Sequence, residues 1–385
     1  MSVFSVPARI VTGEQALSEA APLLKELGAR PLVVSGPHTV KTPFFAEFAS
    51  LLQENGISHA VYSEITGEPT VRMIEAGAAI YRREGCDYLI GIGGGSPLDA
   101  AKAIAATLVN PGPLSDYQGR EMENPAPPVA AIPTTAGTGS EATRFTIITD
   151  EDTDTKMLLK GGALLPALAV VDERASATMP PGLTAATGLD ALTHAVEAYT
   201  SRRATPLTDT LAVSAVRRIL TALPVAYRDP SDKNARREMS LAALEAGICI
   251  NNASVTIVHG MSRPIGALFH VPHGLSNAML LPVCLRDVAG GALSRFAALS
   301  RAAGCSADAS DAVASNALLD ALADVCRVCG VPALARCGIE EAAFFAAIDK
   351  MASDAIASGS PANCYKAVTA ADCARLYRTA WEAGR

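Results

Sequence analysis

No basic cluster occurs anywhere along the 385 residues, and the formal charge is −7. A nucleic-acid surface needs a basic face to neutralise phosphates, so that class of partner is excluded. The apolar stretches are broken by Gly, Pro or charge short of the roughly 20 residues a membrane helix requires, and no spanning segment is predicted. The opening, MSVFSVPARIVTG, lacks the basic-then-apolar layout of a secretory signal. Nine cysteines, odd in number and scattered, do not form the pattern of a disulfide framework, so a reducing cytoplasm is the expected location. Cys326 and Cys329 form a CxxC, but no second CxxC or histidine lies close by. Set in the apolar pattern ALLDALADVCRVCG, they read as packed helix thiols rather than zinc ligands.

What is present is a globular composition, 49% hydrophobic with 18% charged residues, in a chain too long for one ordinary core. Up to about residue 175, short β-branched runs alternate with helical patterns. PLVVSG, HAVYSEI, DYLIGIGGG, VAAIPTT and PALAVVD read as strands, with FFAEFASLLQENG and VRMIEAGAAIYRREG as helices between them. Such alternation predicts a parallel sheet with both faces covered. Beyond PPGLTAATG the pattern changes to long Ala/Leu-rich segments at helical period. An α/β dinucleotide-binding domain over 1–179 and an all-helical, metal-binding domain over 180–385 are expected, hinged at Pro180 and Pro181. The opening SVPARIVTG reads as a strand without a local partner. An unpaired edge invites a second chain, so a homodimer is expected.

Histidine is scarce, six in all, yet four of the six fall in two short segments of the helical half. Asp190 and His194 stand four apart in GLDALTHAVE, hence on one helix face. His259 and His273 lie in VHGMSRPIGALFHVPH, the latter at the predicted start of a helix. One carboxylate and three imidazoles can hold a first-row divalent metal and leave a position for a substrate oxygen. His270, three before His273, is the rival ligand or supporting group. His38 and His59 fall in the other half and read as surface or cofactor-edge residues.

GIGGGSPLDAAKAIA follows a strand and opens a helix. Gly93, Gly94 and Gly95 let backbone N–H groups approach a pyrophosphate, and the helix N-terminus adds partial positive charge. Ser96 supplies a hydroxyl, and Asp99 and Lys102 project from the first turn. The spacing is not the GxGxxG fingerprint. A second loop, IPTTAGTGSEAT, also follows a strand and offers Thr134, Thr135, Thr138 and Ser140. Two such loops at strand ends predict a dinucleotide.

GGGSPLDAAKA, PTTAGTGSEAT, GLDALTHAVEAY and VHGMSRPIGALFHVPHGLSNAMLLP resemble, in order and spacing, the iron-containing (group III) alcohol dehydrogenase family. The likeness covers nearly the whole chain. It implies the dehydroquinate synthase-like fold of that family, ligation of Fe(II), or of Zn(II) in some members, by Asp190, His194, His259 and His273, and dimers formed through the N-terminal strand. It also implies cofactor contacts from Gly94, Gly95, Ser96, Thr134, Thr135 and Lys156, with Asp99 lining the same site. The activity implied is hydride transfer between C4 of NAD or NADP and a small alcohol or aldehyde, possible alternatives being a dehydroquinate synthase-like lyase or a maleylacetate reductase-like enzyme.

Two positions depart from the family pattern. Many members carry a second histidine four residues after the one at 259, and here that residue is Arg263. Arginine stays protonated and is no ordinary general base. It is either a clamp for a carboxylate or phosphonate on the substrate or the partner of a nearby acid. Arg263 and His270 are the candidate catalytic residues, His270 as an aid to proton release. NAD-preferring relatives often have an Asp after the second strand, where this chain has Gly36, flanked by Ser35, His38 and Lys41. Nothing acidic there repels a 2′-phosphate, so use of both cofactors is expected.

Overall fold

A computed structural model describes residues 3–153 and 155–383. One compact unit spans Phe4–Thr178 and the other starts at Met179. The first holds the strands β1 (Arg9–Thr12), β2 (Pro31–Val34), β3 (Ala60–Tyr62), β4 (Tyr88–Gly93), β5 (Val129–Pro133), β6 (Phe145–Asp150), β7 (Thr155–Lys160) and β8 (Leu168–Val171). Its helices are α1 (Ala16–Glu19), α2 (Ala21–Leu27), α3 (Pro43–Glu54), α4 (Val71–Arg83) and α5 (Gly95–Thr107).

Six strands form one sheet in the order β1-β8-β5-β4-β2-β3, every neighbouring pair parallel. Successive side chains of a strand point to opposite faces. Accordingly Leu32, Val34 and Leu89 join a core with Ile74 and Ile104 on one face, whereas Val33, Tyr88, Ile90 and Ile92 join Phe48, Leu52 and Leu24 on the other. Burial on both faces explains why these strands read as continuous apolar runs. The chain moves outward from β2 to β3 and then crosses back to β4, so the sheet's switch point lies between β2 and β4. Ligands of open α/β sheets bind outside the strand C-termini at that point.

The predicted strand in SVPARIVTG forms as β1, and its partner is β8, with Arg9 opposite Leu168. It is an edge strand paired on one side. The sequence reading missed the antiparallel pair β6–β7, registered from Phe145 opposite Lys160 to Asp150 opposite Thr155. The apolar residues Phe145, Ile147 and Ile148, and then Met157, Leu158 and Leu159, on either side of a polar stretch were the available signal.

The second unit is built of α6 (Pro181–Thr200), α7 (Pro206–Arg228), α8 (Lys233–Ala253), α9 (Ile257–Phe269), α10 (His273–Val288), α11 (Leu293–Ala303), α12 (Asp311–Val328), α13 (Glu341–Ala357) and α14 (Ala370–Glu382). Pro181 occupies the first turn of α6, where its missing N–H costs nothing. By length and composition α7 would be able to cross a membrane, contrary to the reading of the apolar runs. In the helical unit it packs against α6 and α8 and buries Ala212, Ala215, Val216, Ile219 and Leu223. Gly188 of α6 allows that packing, because a Cβ there would lie 2.5 Å from Cδ1 of Leu223. A bend of 102° separates α8 from α9 and turns the chain back toward α6. Cys326 and Cys329 are buried free thiols whose pKa values burial pushes up to about 12 and about 11. Both are packed thiols of α12 and its C-cap.

Candidate metal centre and cofactor loops

α6 carries Asp190 and His194 on its buried face, α9 brings His259, and His273 is the first residue of α10. Gly274 makes the α6–α10 approach possible, since a Cβ at that residue would lie 2.2 Å from the carbonyl oxygen of Ala186. As a result Oδ1 of Asp190 lies 3.7 Å from Nε2 of His194, 3.5 Å from Nε2 of His259 and 3.8 Å from Nε2 of His273. The His194 and His259 rings stack with centroids 4.6 Å apart. All four side chains predicted from the sequence are therefore gathered at one place. Asp190, His194 and His259 are buried, whereas His273 exposes 37% of its side chain, so the cluster is accessible on that side.

Two residues that sequence reasoning missed complete the centre. Glu197, seven residues beyond Asp190 on α6, is fully buried. Its Oε1 accepts from Oγ1 of Thr256 at 2.7 Å and from the Val258 amide at 2.6 Å. Its Oε2 lies 2.5 Å from Nδ1 of His259. A carboxylate on Nδ1 fixes the tautomer that leaves the Nε2 lone pair toward the cluster. Asn277 Nδ2 donates to Oδ1 of Asp190 at 2.7 Å and lies 3.1 and 3.2 Å from Nε2 of His259 and His273. Glu197 stands in THAVEAY and Asn277 one turn after His273, so i,i+3 and i,i+4 spacing from the ligands was the signal available.

Burial alone would raise the Asp190 carboxyl, but His194, His273 and His259 outweigh it and hold it below the usual range. Desolvation likewise opposes charge on His259, yet Glu197 and Asp190 raise its proton affinity. His273 moves the other way, down to about 3, because burial of its ring nitrogens outweighs Asp190. The cluster thus favours positive charge and keeps a neutral imidazole. Three acceptor atoms crowd the two N–H donors of the Asn277 amide nitrogen, a ligand set suited to a cation. Ligand atoms of Asp190, His259 and His273 lie within 4.8 Å of one another, and Nε2 of His194 stands 3.7 Å from Oδ1 of Asp190. Oxygen and nitrogen donors at this spacing suit a divalent ion.

His270 is not brought to the cluster. It ends α9 as an exposed residue in the left-handed conformation, φ 54°, with its amide bonded to the carbonyl of Gly266. Arg263 follows His259 by one turn and is half-buried. Its Nη1 donates to Oγ of Ser360 at 3.1 Å, and no carboxylate lies within 4.0 Å of it among the described residues. The ion-pair reading of Arg263 is therefore corrected: the nearest acid it senses, Glu197, spends its oxygens elsewhere.

In the α/β unit, Gly93 ends β4 with φ 151° and a Cβ there would lie 2.7 Å from Cγ of Pro97. Gly94 is the N-cap of α5, and a Cβ on Gly95 would meet Cγ2 of Thr138 at 2.9 Å. The loops after β4 and β5 thus touch one another, and the Thr134 amide bonds to the carbonyl of Gly93 at 2.7 Å. Thr135 faces Gly94, and Ser96 lies in the first turn of α5. Asp99 accepts from Oγ of Ser140 at 2.5 Å and from the Ile147 amide at 3.0 Å. Lys102 is fully buried and donates to carbonyls of Ser140 and Phe145. These three side chains hold α5, the second loop and β6 together. Lys156 pairs with Glu68 at 2.6 Å. Gly36 follows β2 at the switch point, where a Cβ would lie 3.0 Å from the Ile65 carbonyl. Ser35 is buried, with its hydroxyl bonded to the Ile92 carbonyl at 2.8 Å. His38 is exposed and His59 half-buried.

A parallel sheet with glycine loops at its switch point, in one chain with a helical unit that gathers a carboxylate and three imidazoles, defines a metal-dependent, dinucleotide-linked oxidoreductase. Comparison with known proteins agrees. The family described as iron-containing alcohol dehydrogenase matches residues 7–173, and its C-terminal counterpart matches residues 184–381. Lactaldehyde reductase of Escherichia coli is 35% identical over 357 residues, 91% of this chain and 92% of that protein. The NAD-dependent methanol dehydrogenase of Bacillus methanolicus is 38% identical over 74% of this chain and 75% of its own length. The crystal structure of a 1,3-propanediol oxidoreductase superposes with a TM-score of 0.95 at 33% identity, covering 99% of this chain and 100% of that one. The chain belongs to the iron-containing alcohol dehydrogenase family, and it is an oxidoreductase acting on CH–OH groups.

Proposed function

We propose that the chain interconverts a small alcohol and its aldehyde with NAD(P)(H), using Asp190, His194, His259 and His273 to hold Fe(II), with Zn(II) as a possible substitute. The observation that carries this reading is the convergence of Oδ1 of Asp190 with three imidazole Nε2 atoms at 3.5–3.8 Å. A bound divalent ion supplies Lewis acidity toward an alcohol or carbonyl oxygen. The chain's own part is to orient: Glu197 and the α6–α10 contact at Gly274 fix the ligand rings. In the α/β unit, Gly93, Gly94 and Gly95 and the N-terminus of α5 receive the pyrophosphate. Ser96, Thr134, Thr135 and Thr138 supply hydroxyls near it, and Asp99 and Ser140 shape the loops through their mutual bond. Lys156 reaches a cofactor by exchanging its Glu68 partner.

Gly36 leaves no carboxylate beside the end of β2, which supports use of both NAD and NADP. Because Arg263 cannot take up a proton and His270 lies at an exposed helix end, proton release through solvent is assigned, with His270 at most an outer relay. Three histidines gathered around Asp190 argue against a maleylacetate reductase-like site, which lacks them. A cytoplasmic homodimer is part of this reading, the open edge of β1 being the surface that supports it.

The test is a metal analysis followed by an assay. The purified protein, reloaded with Fe(II) or Zn(II), is expected to oxidise NAD(P)H in the presence of small aldehydes, and Asp190→Ala is expected not to. Absence of both bound metal and turnover in the reloaded wild type would sink the reading.

A further inference from the structure

Gly260 lets α9 pack on the turn at 361–363, since a Cβ there would lie 2.8 Å from Cδ of Pro361. That approach delivers the buried Ser360 to the Arg263 guanidinium. The hydroxyl is the single hydrogen-bond partner the described residues give Arg263, and it is neutral. Nε of Arg263 is shut off from solvent and has no partner. A guanidinium carries five N–H donors and a charge that stays on at any physiological pH. Half-buried and unpaired, such a group costs stability, so its persistence calls for a ligand.

Its position specifies which ligand. Arg263 stands four residues after His259, on the same face of α9, one turn of about 5.4 Å along the axis. Its charge is felt at His273, the exposed member of the cluster. When a divalent ion is bound, the carboxylates of Asp190 and Glu197 balance it. Arg263 is then left as the uncompensated positive charge. Resting on the dehydrogenase reading above, we propose that Arg263 is the recognition group for an anionic substrate, an alcohol or aldehyde that carries a carboxylate or comparable oxyanion. The planar fork suits such a group bidentately, and Ser360 holds one edge of the fork in place. A neutral substrate would leave the guanidinium as it stands, unpaired.

The experiment compares two aldehydes of equal chain length, butanal and 4-oxobutanoate, on the metal-loaded holoenzyme. The readout is the ratio of kcat/KM for the acid to that for the neutral compound. The wild type is expected to favour the acid. Arg263→Gln is expected to lower the ratio by about 10- to 100-fold, chiefly through KM, and Arg263→Lys by less, since the point charge remains. Calorimetric binding of succinate, which cannot react, is expected to follow the same order. Should Arg263→Gln not fold, the comparison of wild type with Arg263→Lys carries the same test. A wild type that prefers butanal, or a ratio unmoved by folded Arg263 variants, overturns the proposal. If the wild type reduces neither aldehyde but binds succinate through Arg263, the anion site stands and the dehydrogenase reading falls.

Discussion

Oε2 of Glu197 lies 2.5 Å from Nδ1 of His259, while Nε2 of the same ring lies 3.5 Å from Oδ1 of Asp190. One imidazole is thus clamped between two buried carboxylates, with Glu197 orienting it and Asp190 sharing the cluster. Replacing Glu197 with Gln removes the anionic acceptor and leaves the ring free to change tautomer. Affinity for Fe(II) or Zn(II) is expected to fall by about 10- to 100-fold in a chelator competition, with helical content retained. Unchanged affinity would show that the tautomer is fixed by other means.

Metal binding to the folded state alone stabilises it by mass action, about 2.7 kcal/mol at a free concentration one hundred times Kd. Adding Fe(II) or Zn(II) should therefore raise the unfolding temperature, and a chelator should reverse the rise. In Asp190→Ala the shift should vanish. A persistent shift in that variant would place the stabilising ion somewhere else.

Gly274 controls the distance between α6 and α10 without being a ligand. Its Cβ would lie 2.2 Å from the Ala186 carbonyl and 3.3 Å from Cβ of Asp190. Backbone on one side leaves nothing flexible to yield, so Gly274→Ala must push His273 away from Asp190. A loss of about 1–3 kcal/mol in stability is expected, together with weaker metal binding. Gly290, whose Cβ would meet nothing within 4 Å, is the control, and Gly290→Ala should change neither quantity appreciably. Equal behaviour of the two variants would refute the close-approach argument.

Glu141 supplies a pH dependence within the α/β unit. Burial raises its pKa to about 7 against the attraction of Lys102. A carboxyl with a raised folded pKa is most favourable to folding below its unfolded value near 4.3, and the penalty grows as pH rises toward 7. Glu141→Gln should therefore stabilise the protein at pH 8 by up to about 3 kcal/mol and by little at pH 4. Urea titrations at the two pH values measure this difference. A gain independent of pH would mean that the carboxyl is not desolvated.

The strands and helices were legible because their periods are local properties. Leu32, Val33 and Val34 form an apolar run because both faces of β2 are covered, and Asp190 and His194 share a face because four residues only slightly exceed one helical turn. The β6–β7 pair was not legible because FTIITD and TKMLLK do not alternate strictly between apolar and polar, although each strand is six residues long. α7 also shows the limit of composition, since its apolarity suits a membrane or a core equally, and its packing against α6 and α8 was not legible in the sequence.

By itself, then, the sequence determined which residue types were available for chemistry and on which elements they stand: the glycines ending β4, Asp190 and His194 on α6, and His273 opening α10. Tertiary structure alone decided which atoms meet. Glu197 finds the far nitrogen of His259, His270 is spent on a helix end, and Arg263 is left with a serine and no acid. The physical reason is that local spacing fixes direction within one element, whereas a contact such as Glu197–His259, 62 residues apart, depends on how helices cross. In this chain glycines small enough to let backbones approach stand where α10 meets α6, at Gly274, and where α9 meets the turn at 361–363, at Gly260.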